Sequence, residues 1–301
     1  MRVNDSHCHF FSPAFFGALA RQKGLTDPSP ASAVTALAGW DDPGTVEELA
    51  DRWRDELDRH QVSRAVLIAS VPGDEDSVAA AVARHPARFV GFFMVDPTME
   101  GAPARVREAL ARPGMRGVCL FPAMHRYPLD DRRAVAVIGE VAATPGAVLF
   151  VHCGVLSIGI RKKLGLPSRF ELRYGQPLDV QRVAIDHPSL PIIVPHFGAG
   201  FFREALMAAD ACPNIHLDTS SSNGWVRYHP GLTLTEVFRH ALAVVGPERL
   251  LFGTDSSFFP RGWVSAVRDA QQAVLAELGV PEADRARIFG GNFDRLLPAD
   301  S

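Results

Sequence analysis

The sequence has few of the features that assign a chain to a specialised class of protein. Its 301 residues include four cysteines, and because none of them form a C-x-x-C pair, we expect reduced thiols rather than disulfides. The 31 basic and 34 acidic side chains give a net charge of −3. That balance provides no basic field for nucleic acid or for an anionic membrane surface.

Long apolar runs are also missing. No run approaches the roughly 20 residues that cross a bilayer. A histidine-containing stretch close to the N-terminus leaves no room for the apolar core of a signal peptide. We therefore expect a cytoplasmic globular protein that takes a small-molecule substrate, with neither nucleic acid nor membrane as a partner.

Short runs rich in β-branched and aromatic residues alternate with amphipathic segments, one of which opens with the capping box Thr45-Val-Glu-Glu48. The predicted strands lie at residues 2–9, 64–70, 88–95, 116–121, 147–152, 191–196, 214–218 and 249–255. Eight alternating units predict an α/β fold, a (β/α)8 TIM barrel, as a single domain over residues 1–301. An open doubly wound sheet is the alternative, but it would place a glycine-rich loop where the sequence reads Ser6-His-Cys-His-Phe10.

Two segments depart from the regular alternation. Residues 10–43 are too long for a short connection, and they contain Phe11, Phe15, Phe16 and Trp40. We therefore expect an insertion after the first strand that folds over the mouth of the barrel, as a substrate lid or a dimer contact. At the other end of the chain we expect a C-terminal helix over residues 281–297.

Five side chains with metal-binding or acid–base chemistry stand at the ends of predicted strands. His7 and His9 are two residues apart on the first strand, so both side chains face the same way. His152, His196 and Asp255 end three later strands. Because a barrel of this kind carries its active site at the carboxyl ends of the strands, these groups are expected to meet at one mouth. Imidazole and carboxylate together favour a divalent metal.

Several motifs resemble those of the amidohydrolase superfamily. They are Asp5-Ser-His-Cys-His9, Val151-His-Cys153, Pro195-His-Phe-Gly198, Phe252-Gly-Thr-Asp255 and Gly290-Gly-Asn-Phe-Asp-Arg-Leu296. The sequence is most similar to the mononuclear amidohydrolase-2 branch, which includes relatives of aminocarboxymuconate-semialdehyde decarboxylase.

The resemblance implies a site with one divalent metal ion. His7, His9, His152 and Asp255 would hold Zn²⁺, with Mn²⁺ as the alternative, while His196 and Asp255 would be catalytic. Binuclear members carry a carboxylated lysine at the end of strand four, where this sequence reads Gly117-Val-Cys-Leu-Phe-Pro122. A second metal would therefore lack its bridge. Cys119 on that strand is either a thiolate substitute for the lysine or a small buried core residue.

The resemblance is compatible with more than one reaction. A metal-activated water could attack an amide, ester or lactone, and the same groups could instead remove carbon dioxide from an aromatic or unsaturated carboxylic acid. The decarboxylase relatives carry a proline shortly after the histidine of strand six, which His196-Phe-Gly-Ala-Gly-Phe-Phe-Arg-Glu204 lacks. They also tend to carry Tyr-Pro-Phe after the aspartate of strand eight, where this chain has Asp255-Ser-Ser-Phe-Phe-Pro260. Hydrolysis is therefore favoured over decarboxylation, and both over a non-catalytic metal-binding barrel.

Substrate contacts are predicted from the loops after strands five, six and seven. Arg173 and Arg227 could bind a substrate carboxylate through the two-pronged guanidinium group. Phe197 and Trp225 could form apolar walls, and Trp225 could stack on a ring. The resemblance also implies a possible homodimer.

Overall fold

Eight strands pair side by side in parallel, in the order in which they occur along the chain. The structure is a computed structural model, which describes residues 1–299. Its strands are β1 (Asn4–Phe10), β2 (Arg64–Ala69), β3 (Phe89–Val95), β4 (Met115–Leu120), β5 (Val148–Val151), β6 (Ile192–Val194), β7 (Ile215–Asp218) and β8 (Leu250–Leu251). The segment after β8 returns to β1, since His9 N donates to Ser256 O at 2.7 Å and Asp255 N to His7 O at 2.9 Å. The predicted (β/α)8 barrel is confirmed.

Helices separate the strands and cover the outside of the barrel. They are α1 (Pro13–Lys23), α2 (Pro30–Ala38), α3 (Val46–Arg59), α4 (Glu75–Arg84), α5 (Ala102–Leu110), α6 (Pro122–His125), α7 (Arg132–Ala143), α8 (Gly159–Lys163), α9 (Pro177–Asp186), α10 (Phe202–Ala211), α11 (Leu234–Val245), α12 (Ser265–Glu277), α13 (Glu282–Ala286) and α14 (Asn292–Leu296). Within residues 1–299, no helix combines the length and the apolar character needed to span a bilayer.

The strands are apolar on both faces because both faces are buried. In β2, Val66 and Ile68 belong to the core inside the barrel, together with Phe92 and Phe150. Their neighbour Leu67 belongs to the second core, between the strands and the helices. This two-sided burial explains why the strand segments read as continuous apolar runs rather than as alternating ones.

The insertion after β1 forms a pair of helices, α1 and α2. Phe15, Phe16 and Val34 of this pair pack against Ile160 and Leu164, in and after α8. The insertion therefore lies against the loop that follows β5, on the side of the barrel where the strands end.

The C-terminal segment closes the opposite end of the barrel. It is helical from α13 through a wider turn at Arg287–Gly291 to α14. Phe293 and Leu297 join the core inside the barrel, and Arg64, at the start of β2, donates to Leu297 O at 2.8 Å. Residues from the beginnings of the strands thus bind this segment, and the carboxyl ends are left free for a site.

Candidate active site

Three potential metal ligands converge at the carboxyl ends of β1 and β8. The Nε2 atoms of His7 and His9 lie 3.3 Å apart. Asp255 Oδ1 is 3.2 Å from Nε2 of His9 and 3.7 Å from Nε2 of His7. Ligands that surround one Zn²⁺ tetrahedrally at about 2.0–2.1 Å are roughly 3.4 Å from one another. The spacing therefore suits a single divalent ion.

Hydrogen bonds turn both imidazoles so that Nε2 faces this point. Nδ1 of His7 donates to Asp218 Oδ2 at 2.7 Å. Nδ1 of His9 lies 2.7 Å from Ser70 Oγ, which itself donates to Ile68 O at 2.9 Å, so His9 is the donor to Ser70. With the proton on Nδ1, the lone pair of each Nε2 is free for a metal, as in other histidine-ligated sites.

The charges of the site also suit a cation. Burial raises the pKa of the Asp255 carboxyl, but the neighbouring imidazoles of His9, His7 and His196 outweigh burial and hold that pKa well below its usual range. Burial lowers the pKa of His7, but the Asp218 carboxylate more than reverses the shift. Burial lowers the pKa of His9 and keeps that ring neutral. Asp218 is fully buried and Asp255 is half-buried, and a divalent ion would supply positive charge between their carboxyl groups.

His152 directly follows β5 at the same end of the barrel, but it stands apart from the group formed by His7, His9 and Asp255. Its ring centroid is 5.3 Å from that of His196, and the ring stacks on Phe121. Burial lowers its pKa well below the usual range, so the ring is neutral. Its Nδ1 is buried without a hydrogen-bond partner among the described residues. The role of His152 as a fourth ligand stays a prediction.

His196 lies beside the ligands, with its ring stacked on His7 at 4.9 Å between centroids. Its Nδ1 is 2.9 Å from Ser220 Oγ and 3.3 Å from Ser220 O, which leaves Nε2 for a substrate. Burial lowers the pKa of His196, with the opposing effect of Asp255 smaller. The ring is therefore neutral near pH 7 and able to accept a proton.

The backbone leaves the strand conformation where it presents these groups. His196 has φ 56°, Phe197 φ 52° and Asp255 φ 60°, all in the left-handed region that non-glycine residues rarely adopt. Such strain is held in place by surrounding packing and is typical of functional sites.

A cavity of about 380 Å³ opens above the ligands. Of the predicted substrate contacts, Trp225 and Arg227 line it. Arg227 has no carboxylate partner among the described residues, and its guanidinium lies over the ring of Tyr228. Both residues therefore line the cavity beside the potential metal ligands, and their contact with a substrate stays a prediction.

The other two predicted contacts lie elsewhere, and both predictions are corrected. Phe197 is fully buried and packs against Phe202 and Phe238, because the left-handed turn sends its side chain outward into the core between strands and helices. Arg173 is exposed and pairs with Glu171 at 2.9 Å, outside the cavity.

Sequence reasoning missed several residues of the site. Asp218 ends β7 and so carried the same positional signal as the histidines. Arg261 lines the cavity, and its Nη2 donates to Asp255 O at 3.1 Å and to Ser257 Oγ at 2.8 Å. No signal in the sequence separated Arg261 from the other arginines, because its position depends on the path of the loop after β8.

Cys119 belongs to the core inside the barrel, in contact with the apolar side chains of neighbouring strands. Burial raises the pKa of its thiol well above the usual range. A protonated, fully buried thiol fills space in the core, so the structure favours the reading of Cys119 as a core residue over that of a thiolate bridge.

Solved structures of similar fold include enzymes of two reaction classes. The chain is 17% identical to 5-carboxyvanillate decarboxylase LigW from Sphingomonas paucimobilis, with a TM-score of 0.67 and 99% of each chain covered. It is 13% identical to a probable 2-pyrone-4,6-dicarboxylic acid hydrolase from Acinetobacter baumannii with citric acid bound, with a TM-score of 0.64 and 99% of each chain covered. An amidohydrolase from Burkholderia multivorans with bound zinc is 16% identical, with a TM-score of 0.66 and 100% of each chain covered.

A curated relative matches part of the chain. Protein fluG from Emericella nidulans is 25% identical over 190 residues, which are 61% of this chain and 20% of that protein. The match thus spans about a fifth of the length of the relative.

The donor set at the ends of β1 and β8 suits a divalent metal, and the fold is that of metal-containing relatives. Across residues 5–299 the sequence matches the family model described as Amidohydrolase. The chain belongs to the amidohydrolase family.

Proposed function

We propose that the protein is a metal-dependent hydrolase that cleaves the amide, ester or lactone bond of a small carboxylated substrate. The observation that carries the proposal is the convergence of His7, His9 and Asp255 beside His196, at a cavity that His9, His196 and Asp255 line. Zn²⁺ is the proposed ion, with Mn²⁺ as the alternative, and His152 is its proposed fourth ligand.

The chemistry is divided between the ion and two side chains. A divalent ion bound there would bring the pKa of water to about 7 and polarise a carbonyl oxygen. Asp255, ionised because its pKa is lowered, would accept the proton of the attacking water and pass it to the leaving nitrogen or oxygen. His196, whose ring is neutral because burial lowers its pKa, would accept the second proton of that water at Nε2.

The walls of the cavity suit a planar carboxylated substrate. Arg227 and Arg261 both line it, and neither forms an ion pair with a carboxylate of the described residues. Guanidinium groups that have no carboxylate partner within the protein are suited to bind a substrate carboxylate. Trp40, Trp225 and Phe258 supply aromatic surface around them.

Decarboxylation is the second candidate, and the aromatic walls are the observation that favours it. An aromatic carboxylic acid would pack against Trp40 and Trp225, which both line the cavity, and protonation of a ring carbon would release carbon dioxide. The two departures after His196 and Asp255 in the sequence weigh towards hydrolysis instead.

The experiment is a substrate screen with isotopic labels, run on protein reconstituted separately with Zn²⁺ and Mn²⁺. Lactones, esters and amides of carboxylated aromatic compounds are incubated in H₂¹⁸O, and aromatic carboxylic acids in D₂O. Hydrolysis places one ¹⁸O in the product acid, whereas decarboxylation releases carbon dioxide and places deuterium on carbon. We expect the ¹⁸O product. Carbon dioxide release without ¹⁸O incorporation would replace the hydrolase with a carboxy-lyase.

A further inference from the structure

A second cavity of about 480 Å³ lies beside the catalytic one. It is bounded by α1 of the insertion and by the loops that follow β2, β4 and β5. Five residues line both cavities: Phe15, Ser70, Met94, Met124 and Ile158. The two cavities therefore adjoin along these mainly apolar side chains, and methionine is the side chain that adapts its shape most easily.

The polar lining of the second cavity is basic. Arg161 and Arg169 contribute to it, together with Arg126, whose Nε lies 3.6 Å from Glu171 Oε1, and the ring of His125, which burial keeps neutral by lowering its pKa. No carboxylate among the described residues lines the cavity. A concave site lined by charges of one sign concentrates the field and attracts ions of opposite sign. The lining therefore favours an anion.

Two buried nitrogens of this lining have no partner. Arg161 Nε and His125 Nδ1 are buried without a hydrogen bond among the described residues. The other nitrogens of Arg161 bind neutral acceptors, Gln22 Oε1 at 2.6 Å and Pro167 O at 2.7 Å, so its charge is not compensated. A buried donor without a partner is costly, and an anion would satisfy Arg161 Nε.

Arg169 adds a second uncompensated charge. Its carbonyl accepts from Arg126, but its guanidinium has no ion pair with a carboxylate of the described residues. Arg161 and Arg169 thus offer charge-assisted hydrogen bonds to a small planar anion such as a carboxylate.

We propose that the second cavity binds the distal carboxylate of an elongated substrate, whose apolar middle passes between Met94, Met124 and Ile158. The inference rests on the proposed function, because the reacting bond is taken to lie beside His196 and Asp255. It narrows the substrate class to extended dicarboxylates, with one carboxylate near Arg227 and Arg261 and the other near Arg161 and Arg169.

Calorimetric titration with unreactive probes tests this proposal. The probes are straight-chain α,ω-dicarboxylates from succinate to azelate, each compared with the monocarboxylate of equal length. Beyond a threshold length, we expect a dicarboxylate to bind about tenfold more tightly than its matched monocarboxylate, the typical effect of one charge-assisted contact.

Three variants locate the second carboxylate. Arg169→Gln removes a guanidinium that carries no described structural contact. Ile158→Trp places a larger side chain where the two cavities adjoin and so reduces the space between them. Both are expected to abolish the tenfold gain. Lys162→Gln, on α8 next to Arg161 but outside both cavities, should keep it.

Two results would overturn the proposal: dicarboxylates that bind no more tightly than monocarboxylates at any length, or a gain that survives both Arg169→Gln and Ile158→Trp. The probes contain no hydrolysable bond, so binding is measured without turnover. Failure here leaves the hydrolase proposal standing, and failure of the labelling experiment leaves this binding result unchanged.

Discussion

At the scale of single residues, the orientation of each imidazole depends on a partner that does not touch the metal position. Asp218 accepts from Nδ1 of His7 at 2.7 Å, and Ser70 accepts from Nδ1 of His9 at the same distance. Gly253 makes room for the first contact, since a Cβ there would lie 3.0 Å from Asp218 Oδ1 and from Cβ of His7. These outer groups fix which nitrogen faces the site.

Replacing Asp218, which orients His7, should weaken metal binding although His7, His9 and Asp255 are all still present. We expect Asp218→Asn to lower the affinity for Zn²⁺ by about 10- to 100-fold, because a neutral amide holds the His7 ring less firmly and supplies no charge. Competitive titration with a chromophoric chelator measures this. Asp210→Asn, an exposed position on α10, is the matched control, and equal affinity in both variants would contradict the role of Asp218.

His196 should separate catalysis from metal binding. We expect His196→Gln to retain the metal and to reduce kcat by about 10²-fold or more, as for loss of a positioned proton-transfer group. His240→Gln, on the exposed face of α11, is the control. Metal content by elemental mass spectrometry is measured on both variants, and a loss confined to His196→Gln would make His196 a ligand instead.

The convergence of His7, His9 and Asp255 could be predicted from the sequence more reliably than the positions of the proposed substrate contacts, for a physical reason. His7 and His9 lie on a strand that continues to Phe10, so the two-residue period holds and their side chains share a side. Phe197 follows a residue with φ 56°, where that period no longer applies. Arg173 and Arg261 lie on loops, whose paths depend on tertiary packing rather than on local pattern.

At the scale of elements, local signals predicted where segments begin better than how they pack. The capping box at Thr45 forms as predicted, with Glu48 N donating to Thr45 Oγ1 and Thr45 N to Glu48 Oε2. Strands β6 and β8 are shorter than the predicted 191–196 and 249–255, because His196 and Asp255 adopt turn conformations rather than strand ones.

The insertion was predicted to cover the barrel mouth, but its two helices were not foreseen. Their signals are present in the sequence: prolines open α1 and α2, and Gly24 and Gly39 end them in the left-handed conformation. The ring of Trp40 stacks on Phe258 at 3.7 Å between centroids and joins the insertion to the loop after β8.

Removing that stack should loosen the insertion without unfolding the barrel. We expect Trp40→Ala to cost about 0.5–1.5 kcal/mol of local stability, and so to speed proteolytic cleavage between α1 and α2 by about 2- to 10-fold. Mass-spectrometric mapping of the cleavage sites measures the effect. Leu37→Ala is the control, at a residue 58% exposed on the same insertion, and it should leave the cleavage rate unchanged. Equal acceleration of cleavage in both variants would show that the Trp40–Phe258 stack does not stabilise the insertion.

At the scale of the whole molecule, the two ends of the barrel have different tasks. The carboxyl ends of the strands hold His7, His9 and Asp255, whereas the opposite end is filled by Phe293 and Leu297. In barrels of this architecture, function belongs to the first end and stability to the second. The alternation of strands and helices was enough to predict this division, since it depends only on the direction of parallel strands.

The division predicts that stability can be lowered without changing the site. Phe293 is 2% exposed, and the Arg64 guanidinium lies 5.1 Å above its ring. Truncation to alanine should leave a cavity in the barrel core and cost about 3–5 kcal/mol in the free energy of unfolding. Zn²⁺ affinity should stay within about twofold of the wild type in conditions where Phe293→Ala remains folded, because no ligand or outer partner contacts this end. Denaturant unfolding of the metal-free protein and chelator titration measure the two quantities separately.

Phe258→Ala, at the mouth of the barrel, is expected to behave in the opposite way: the free energy of unfolding should change little, and KM should change. A loss of metal affinity in Phe293→Ala that matched its loss of stability would contradict this prediction. The two ends would then be coupled through the barrel core. The site would depend on the packing of the whole barrel rather than on the ends of its strands.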